Sequence, residues 1–183
     1  MFTKILSKSF PLAIVLAFSV LTGCSSWKVV KKAKPNPFLK SLRYFVSQYT
    51  VQDLQVGKVS EEDFLKSKNA KEQAKWKADK YTFSREFQRA AKTHSAPLKM
   101  VAGRPNPKTF VMSPNLYWIE PGSASKATKL KVRIRYQKRN KTYDLITMEI
   151  KVPAKTGSFS KHLRYAAKEL GKRAAKYLLK RAK

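Results

Sequence analysis

From Lys129 to Tyr136 the chain reads KLKVRIRY. Leu130, Val132, Ile134 and Tyr136 alternate strictly with Lys129, Lys131, Arg133 and Arg135. A period of two sends successive side chains to opposite faces of a pleated strand, which predicts an amphipathic strand with one buried face. After a turn at KRNK (138–141), Tyr143 to Val152 reads as the returning strand. Ile146, Met148, Ile150 and Val152 take its apolar side, with Asp144 on that side at the strand end. Thr147, Glu149 and Lys151 take the other. The pair is expected to form an antiparallel hairpin, with Glu149 opposite one of the four cations.

The period changes to 3.6 in two places. Phe83, Phe87, Ala90 and Ala91 form one stripe, extended backwards by Trp76, and predict a helix ending near His94, before Pro97. Ser60 followed by Glu61, Glu62 and Asp63 supplies its N-cap and an acidic first turn, which suits the helix dipole. Residues 61–79 are mostly charged or Ala, so that part is expected to be solvated. The last helix is introduced by Gly157 and Ser158 and runs to about Leu179. Its stripe is Leu163, Ala166, Ala167, Leu170, Ala174, Tyr177 and Leu178, with Lys161, Arg164, Lys168, Lys172, Lys176 and Lys180 opposite.

Between these elements, Leu42 to Val56 (LRYFVSQYTVQDLQV) predicts a first strand broken by Gly57. GRPNP at 103–107 predicts a turn. KTFVM (108–112) predicts a short strand, and NLYWI (115–119) another strand or its continuation past Pro114. A one-sided hairpin and two one-sided helices imply an α+β two-layer sandwich, a mainly antiparallel sheet with both helices on one face. The other face would then carry Lys129, Lys131, Arg133 and Arg135. Like charges roughly 6–7 Å apart repel unless anions or acids neutralise them, so this row is the candidate anion- or partner-binding surface. The plain alternative is a solvent-facing strand in a generally basic protein.

Basicity runs through the whole chain: 40 Lys and Arg against 11 Asp and Glu, a formal charge of +29. Such an excess draws a surface toward polyanions at the cost of self-repulsion. In a cytoplasmic protein it would point to nucleic acid, with Tyr136 and Tyr143 among basic strands as stacking groups. The start of the chain argues for a different compartment.

Met1 to Ser9 carries Lys4 and Lys8 and no acid, Phe10 to Leu21 is almost wholly apolar, and Thr22 and Gly23 lead to Cys24. That is the layout of a signal peptide. The apolar run is shorter than the ~17–25 residues of a spanning helix, which disfavours a permanent single-span anchor. Leu21-Thr22-Gly23-Cys24 resembles the lipobox of bacterial lipoprotein precursors. That resemblance implies cleavage before Cys24 and acylation of its sulfur and new amine; the alternative is a chance cysteine beside an ordinary cleavage site. Cys24 is the only cysteine, so the mature body has no internal disulfide, and a thioether could not serve redox chemistry. Several acyl chains hold a protein on a membrane lastingly, where one does not. Ser25 and Ser26, with no Asp just after the cysteine, resemble cargo sent to the outer membrane, which implies a periplasm-facing location.

The division expected is therefore 1–23 signal peptide, 24–40 lipidated basic tether, and 41–183 a single α+β domain. In the tether, Trp27, Val29 and Val30 beside Lys28, Lys31 and Lys32 have the composition of a headgroup-facing segment, although a plain linker explains them as well.

The strand YTVQDLQV and the hairpin with its helix, KLKVRIRY through AAKYLLK, resemble in element order the small periplasmic lipoproteins of the TolB-N-terminal or curli-secretion-like α/β type. The lipoprotein subunit of lipopolysaccharide assembly is a second resemblance. The first implies an accessory or binding subunit of an envelope machine, with a protein partner. The second implies a basic lipid-binding surface; the cationic row itself gives the alternative reading, a binder of anionic glycolipid or wall polymer through the basic face.

Catalytic groups are scarce. His94 and His162 stand apart from any partner at metal-ligand spacing, and both are expected at helix ends or on the surface. There is no GxSxG elbow and no phosphate loop, and no acid pair stands out. The sequence thus predicts no enzyme, no cofactor, no metal and no nucleic-acid ligand.

Overall fold

The computed structural model describes residues 27–183, so the leader and Cys24 lie outside the described residues. Its first half contains β1 (Trp27–Lys31), β2 (Tyr44–Ser47), β3 (Gln55–Val56), β4 (Val59–Ser60), α1 (Glu61–Lys66) and α2 (Ala70–His94). Then follow β5 (Lys99–Val101), β6 (Phe110–Glu120), β7 (Thr128–Lys138), β8 (Lys141–Val152), a 3-10 turn at Ala154–Thr156, and α3 (Phe159–Ala182). The fold is α+β. One mixed, mostly antiparallel sheet runs in the order β1-β8-β7-β6-β2-β5, with β3 and β4 attached at β6.

The predicted hairpin is the centre of the sheet. β7 and β8 pair antiparallel with Leu130 opposite Ile150, Val132 opposite Met148 and Ile134 opposite Ile146. All six side chains are buried. Arg139 and Asn140 both take positive φ (50° and 59°), the two-residue turn whose twist suits a hairpin. β6 follows on the other side of β7 as one strand through Pro114. The proline has no N–H to give, but its carbonyl accepts from the Thr50 N–H at 2.9 Å and so stays in the ladder.

α2 and α3 cover one face of the sheet. The predicted stripes are the buried ones: Trp76, Phe83, Phe87, Ala90 and Ala91 on α2, and Leu163 through Leu178 on α3. The two helices meet closely because small residues line the seam. A Cβ built on Gly171 would stand 2.4 Å from the Phe87 carbonyl oxygen and 3.0 Å from the Ala90 Cβ. Gly171→Ala would gain about 1 kcal/mol of helix propensity, but forcing the seam apart costs about 1–3 kcal/mol. We therefore expect a lower urea midpoint for Gly171→Ala; an unchanged or higher midpoint would show that the helices separate freely.

The structure corrects the reading in four places. The segment taken as a strand from 42 to 56 is β2, a single bridge from Thr50 to Asn115, and the two-residue β3. Asp53 takes a φ of 53° within it and turns Leu54 into the core. The helix read across 61–94 is two, because Asn69 caps α2 in reciprocal hydrogen bonds with Glu72. β5 follows no alternating pattern and pairs parallel to β2. Finally, residues 27–40 of the expected tether are folded onto the domain.

That last change has a definite cause. β1 pairs antiparallel with the free edge of β8, and Asp144 holds the next stretch down. Its buried carboxylate accepts from the Ala33 N–H (2.9 Å), the Tyr177 hydroxyl (2.7 Å) and Arg181 Nε (2.7 Å). Arg181 Nη2 donates to the Ala33 carbonyl at 3.0 Å, while Asn36 donates to the Arg181 carbonyl at 2.7 Å. Phe38 then enters the core beside Phe110.

Candidate anion-binding face

The face of the sheet turned away from α2 and α3 carries Lys129, Lys131, Arg133 and Arg135, as expected from alternation. Each is half-buried, because its aliphatic stem lies along the sheet while its charged end remains reachable. Register sets their neighbours: Lys129 opposite Glu120, Lys131 opposite Glu149, Arg133 opposite Thr147 and Arg135 opposite Leu145. Glu149 is thus the acid placed across from the row.

The four cations are not equivalent. Lys129 is neutralised by Glu120 at 2.9 Å, and Lys126 reaches the same carboxylate at 3.3 Å. Hydrogen bonds from Lys129 first, then Lys126, hold the Glu120 carboxyl below its ordinary value of 4.5. A depressed carboxylate pKa means that the pairing is complete above 4.5 and is lost as pH falls through the lower folded value. An NMR titration of Glu120 should accordingly show a midpoint below 4.5; a midpoint at or above it would mean the pair is absent in solution.

Lys131, Arg133 and Arg135 make no ion pair among the described residues. Two of them lie over aromatic rings instead. Lys131 Nζ is 4.9 Å from the Trp118 ring centroid, and Arg133 Cζ is 5.0 Å from that of Tyr117. Such contacts orient a cation without neutralising it, contributing ~0.5–1 kcal/mol at exposed sites.

Tyr117 follows the inward Leu116 and faces outward by alternation, whereas Trp118 reaches this face because of a bulge. The register jumps between Leu116, opposite Val132, and Trp118, opposite Lys131, leaving Tyr117 as the extra residue. Leu116 and Ile119 remain in the core on either side. Sequence reasoning missed Tyr117 and Trp118, although the three-residue spacing of the two core positions in NLYWI carries the signal of the extra residue.

β1 extends the same face, with Lys28 opposite Thr147. Lys28, Tyr117, Lys131, Thr147 and Glu149 line an open cleft of about 230 Å³. A larger cleft of about 500 Å³ lies toward the hairpin end, lined by Gln48, Asn106, Thr109, Gln137, Lys138 and Arg139 among others. Amides, hydroxyls and cations beside flat rings can hold a polar anionic chain, and the clefts hold no pair of acids poised for proton transfer.

The histidines lie elsewhere. His94 ends α2, its Nδ1 2.9 Å from the Ala90 carbonyl oxygen. His162 is in the first turn of α3 but is fully buried, its Nδ1 2.7 Å from Thr128 Oγ1. Among the described residues no group of three or more His, Cys, Asp or Glu is placed to hold a metal ion.

No protein-family model matches this sequence, and no curated protein does. Among solved structures, the chain is similar to the PelC dodecamer from Paraburkholderia phytofirmans in space group P6. The TM-score is 0.50 at 9% identity, covering 86% of this chain and 99% of that one. A single-substitution variant of that dodecamer, in space group C2, gives 0.49 at 9% identity over 85% and 97%. At this identity the likeness concerns the fold alone.

Proposed function

We propose that this chain is a non-catalytic lipoprotein of the bacterial envelope. It is anchored through Cys24, outer-membrane-bound and periplasm-facing, and it binds an anionic glycolipid or wall polymer on the outer sheet face. The observation that carries the binding reading is the row Lys131, Arg133 and Arg135. Among the described residues these three cations make no ion pair, although Glu149 stands opposite Lys131, and two of them are held over Trp118 and Tyr117, on the face the helices leave uncovered. A purely solvated basic strand does not require a bulge that turns Trp118 toward its cations, beside Tyr117. An accessory role beside a protein partner, the other reading from sequence, has no comparable feature to support it.

The test is binding of the purified protein to a phosphorylated glycolipid dispersed in neutral detergent micelles, followed across ionic strength. Binding should weaken steeply between 50 mM and 500 mM salt, because the screening length shrinks over that range from about 14 Å to about 4 Å. Binding that is indifferent to salt, or recovery of one stoichiometric envelope protein in place of glycolipid, would overturn this assignment.

A further inference from the structure

We infer that the groove between Trp27 and the C-terminal half of α3 is where the folded domain rests on anionic phospholipid headgroups, with the sheet standing edge-on to the membrane. The inference rests on the anchored reading of Cys24. Trp27 lies three residues after Cys24 in the sequence. If residues 27–40 were a tether, the domain would begin some 17 residues from the anchor and could sit roughly 50–60 Å away, at about 3.3–3.6 Å per residue. Since β1 is paired to β8 and the Asp144–Arg181 network binds the chain behind it, the leash shrinks to about 10 Å. The neighbourhood of Trp27 is thereby the part of the domain held at the bilayer.

Its chemistry suits that place. Trp27 is 47% exposed, and Val29 and Val30 are 42% and 53% exposed. The indole stands edge-on to the Tyr177 ring at 5.5 Å, so its position is fixed by α3. Together with Tyr177, Arg173, Lys176 and Lys180 it lines an open groove of about 320 Å³, with no acid in its lining. An indole beside cations is the combination that settles at the level of lipid headgroups, the ring in the interfacial layer and the charges on lipid phosphates. Alternation puts Trp27 on the helix side of the sheet and Lys28 on the outer side, so β1 is an edge that both faces share. With β1 down, β5 is the far edge, and the cationic outer face stands clear of the bilayer, open to a ligand.

The natively processed protein, reconstituted in vesicles of phosphatidylethanolamine and phosphatidylglycerol, tests this directly. Cys24 is the only cysteine, so a nitroxide can be placed on Val30→Cys or, at the opposite edge, on Val101→Cys. Collision with lipid-dissolved oxygen is expected to be about threefold greater at position 30 than at position 101, as for a group within the interfacial layer. Arg173→Glu with Lys176→Glu and Lys180→Glu should lower oxygen collision at position 30, while the short leash keeps it above that at position 101; an unchanged value at position 30 would show that the groove does not rest on the headgroups. Equal accessibility of the two labels in acylated protein would overturn this inference alone. An intact mass without acyl chains would overturn the anchor reading beneath it.

Discussion

Asp144→Asn is expected to cost about 3–5 kcal/mol of folding stability, the largest effect of any single conservative change in this chain. The asparagine keeps the shape but removes the charge, leaving the Arg181 guanidinium, half of a 2.7 Å ion pair, without its counter-ion in a buried site. Its NH2 also takes the place of one carboxylate oxygen, so an amide donor faces either the Ala33 N–H, which donates to Oδ1, or the Tyr177 hydroxyl and Arg181 Nε, which donate to Oδ2. The Tyr177 phenol is already pushed up, by burial first and then by its hydrogen bond to Asp144. Typical domains are stable by about 5–15 kcal/mol, so the loss is a large share of the total. Urea unfolding measures it, and hydrogen exchange locates it: amides of residues 28–38 should exchange faster than those of β7. Pairing Asp144→Asn with Arg181→Met should recover part of the loss, since no uncompensated charge then remains. A wild-type urea midpoint in the single variant would show that the N-terminal segment is not held by this network.

The second large effect is on binding. Lys131→Glu with Arg133→Glu should weaken association with a phosphorylated glycolipid by at least roughly 100-fold. Each charge-assisted hydrogen bond lost is worth about 1.5 kcal/mol at the low end, and about 3 kcal/mol corresponds to two decades in affinity. Both side chains are on the surface of a strand whose other face is buried, so the fold should tolerate the change. Lys161→Glu with Lys168→Glu, on the exposed side of α3, alters the net charge equally and serves as the control. If the control weakens binding as much as the sheet variant, overall charge is responsible and the outer face has no special part.

The parts of this fold that the sequence discloses are those with a strong internal period. Alternation at 129–136 and the stripes at 83–91 and 163–178 each describe a face that must be buried whatever else the chain does, and each was buried as read. Edges have no such constraint. Every side chain of β1 is exposed, so nothing in WKVVK distinguishes a paired edge strand from a basic linker. Its partner is set by the free edge of β8, more than a hundred residues away in the chain. Asp144 shows the same limit. An acid on the apolar side of a strand end is visible in the sequence, yet its need for a buried cation is met by Arg181, at the far end of the last helix. For the candidate site, the cations followed from alternation alone, whereas Trp118 needed a bulge that shifts Trp118 and Ile119 to opposite faces from those simple alternation would give.

Amide chemical-shift mapping with a phosphorylated glycolipid in neutral micelles tests the central claim most directly. The account predicts that saturable shifts gather on Tyr117, Trp118 and Lys129 to Arg135, with the α2–α3 seam around Gly171 unmoved. Shifts gathered on α3 with β7 silent, or none at all at low salt, would contradict it.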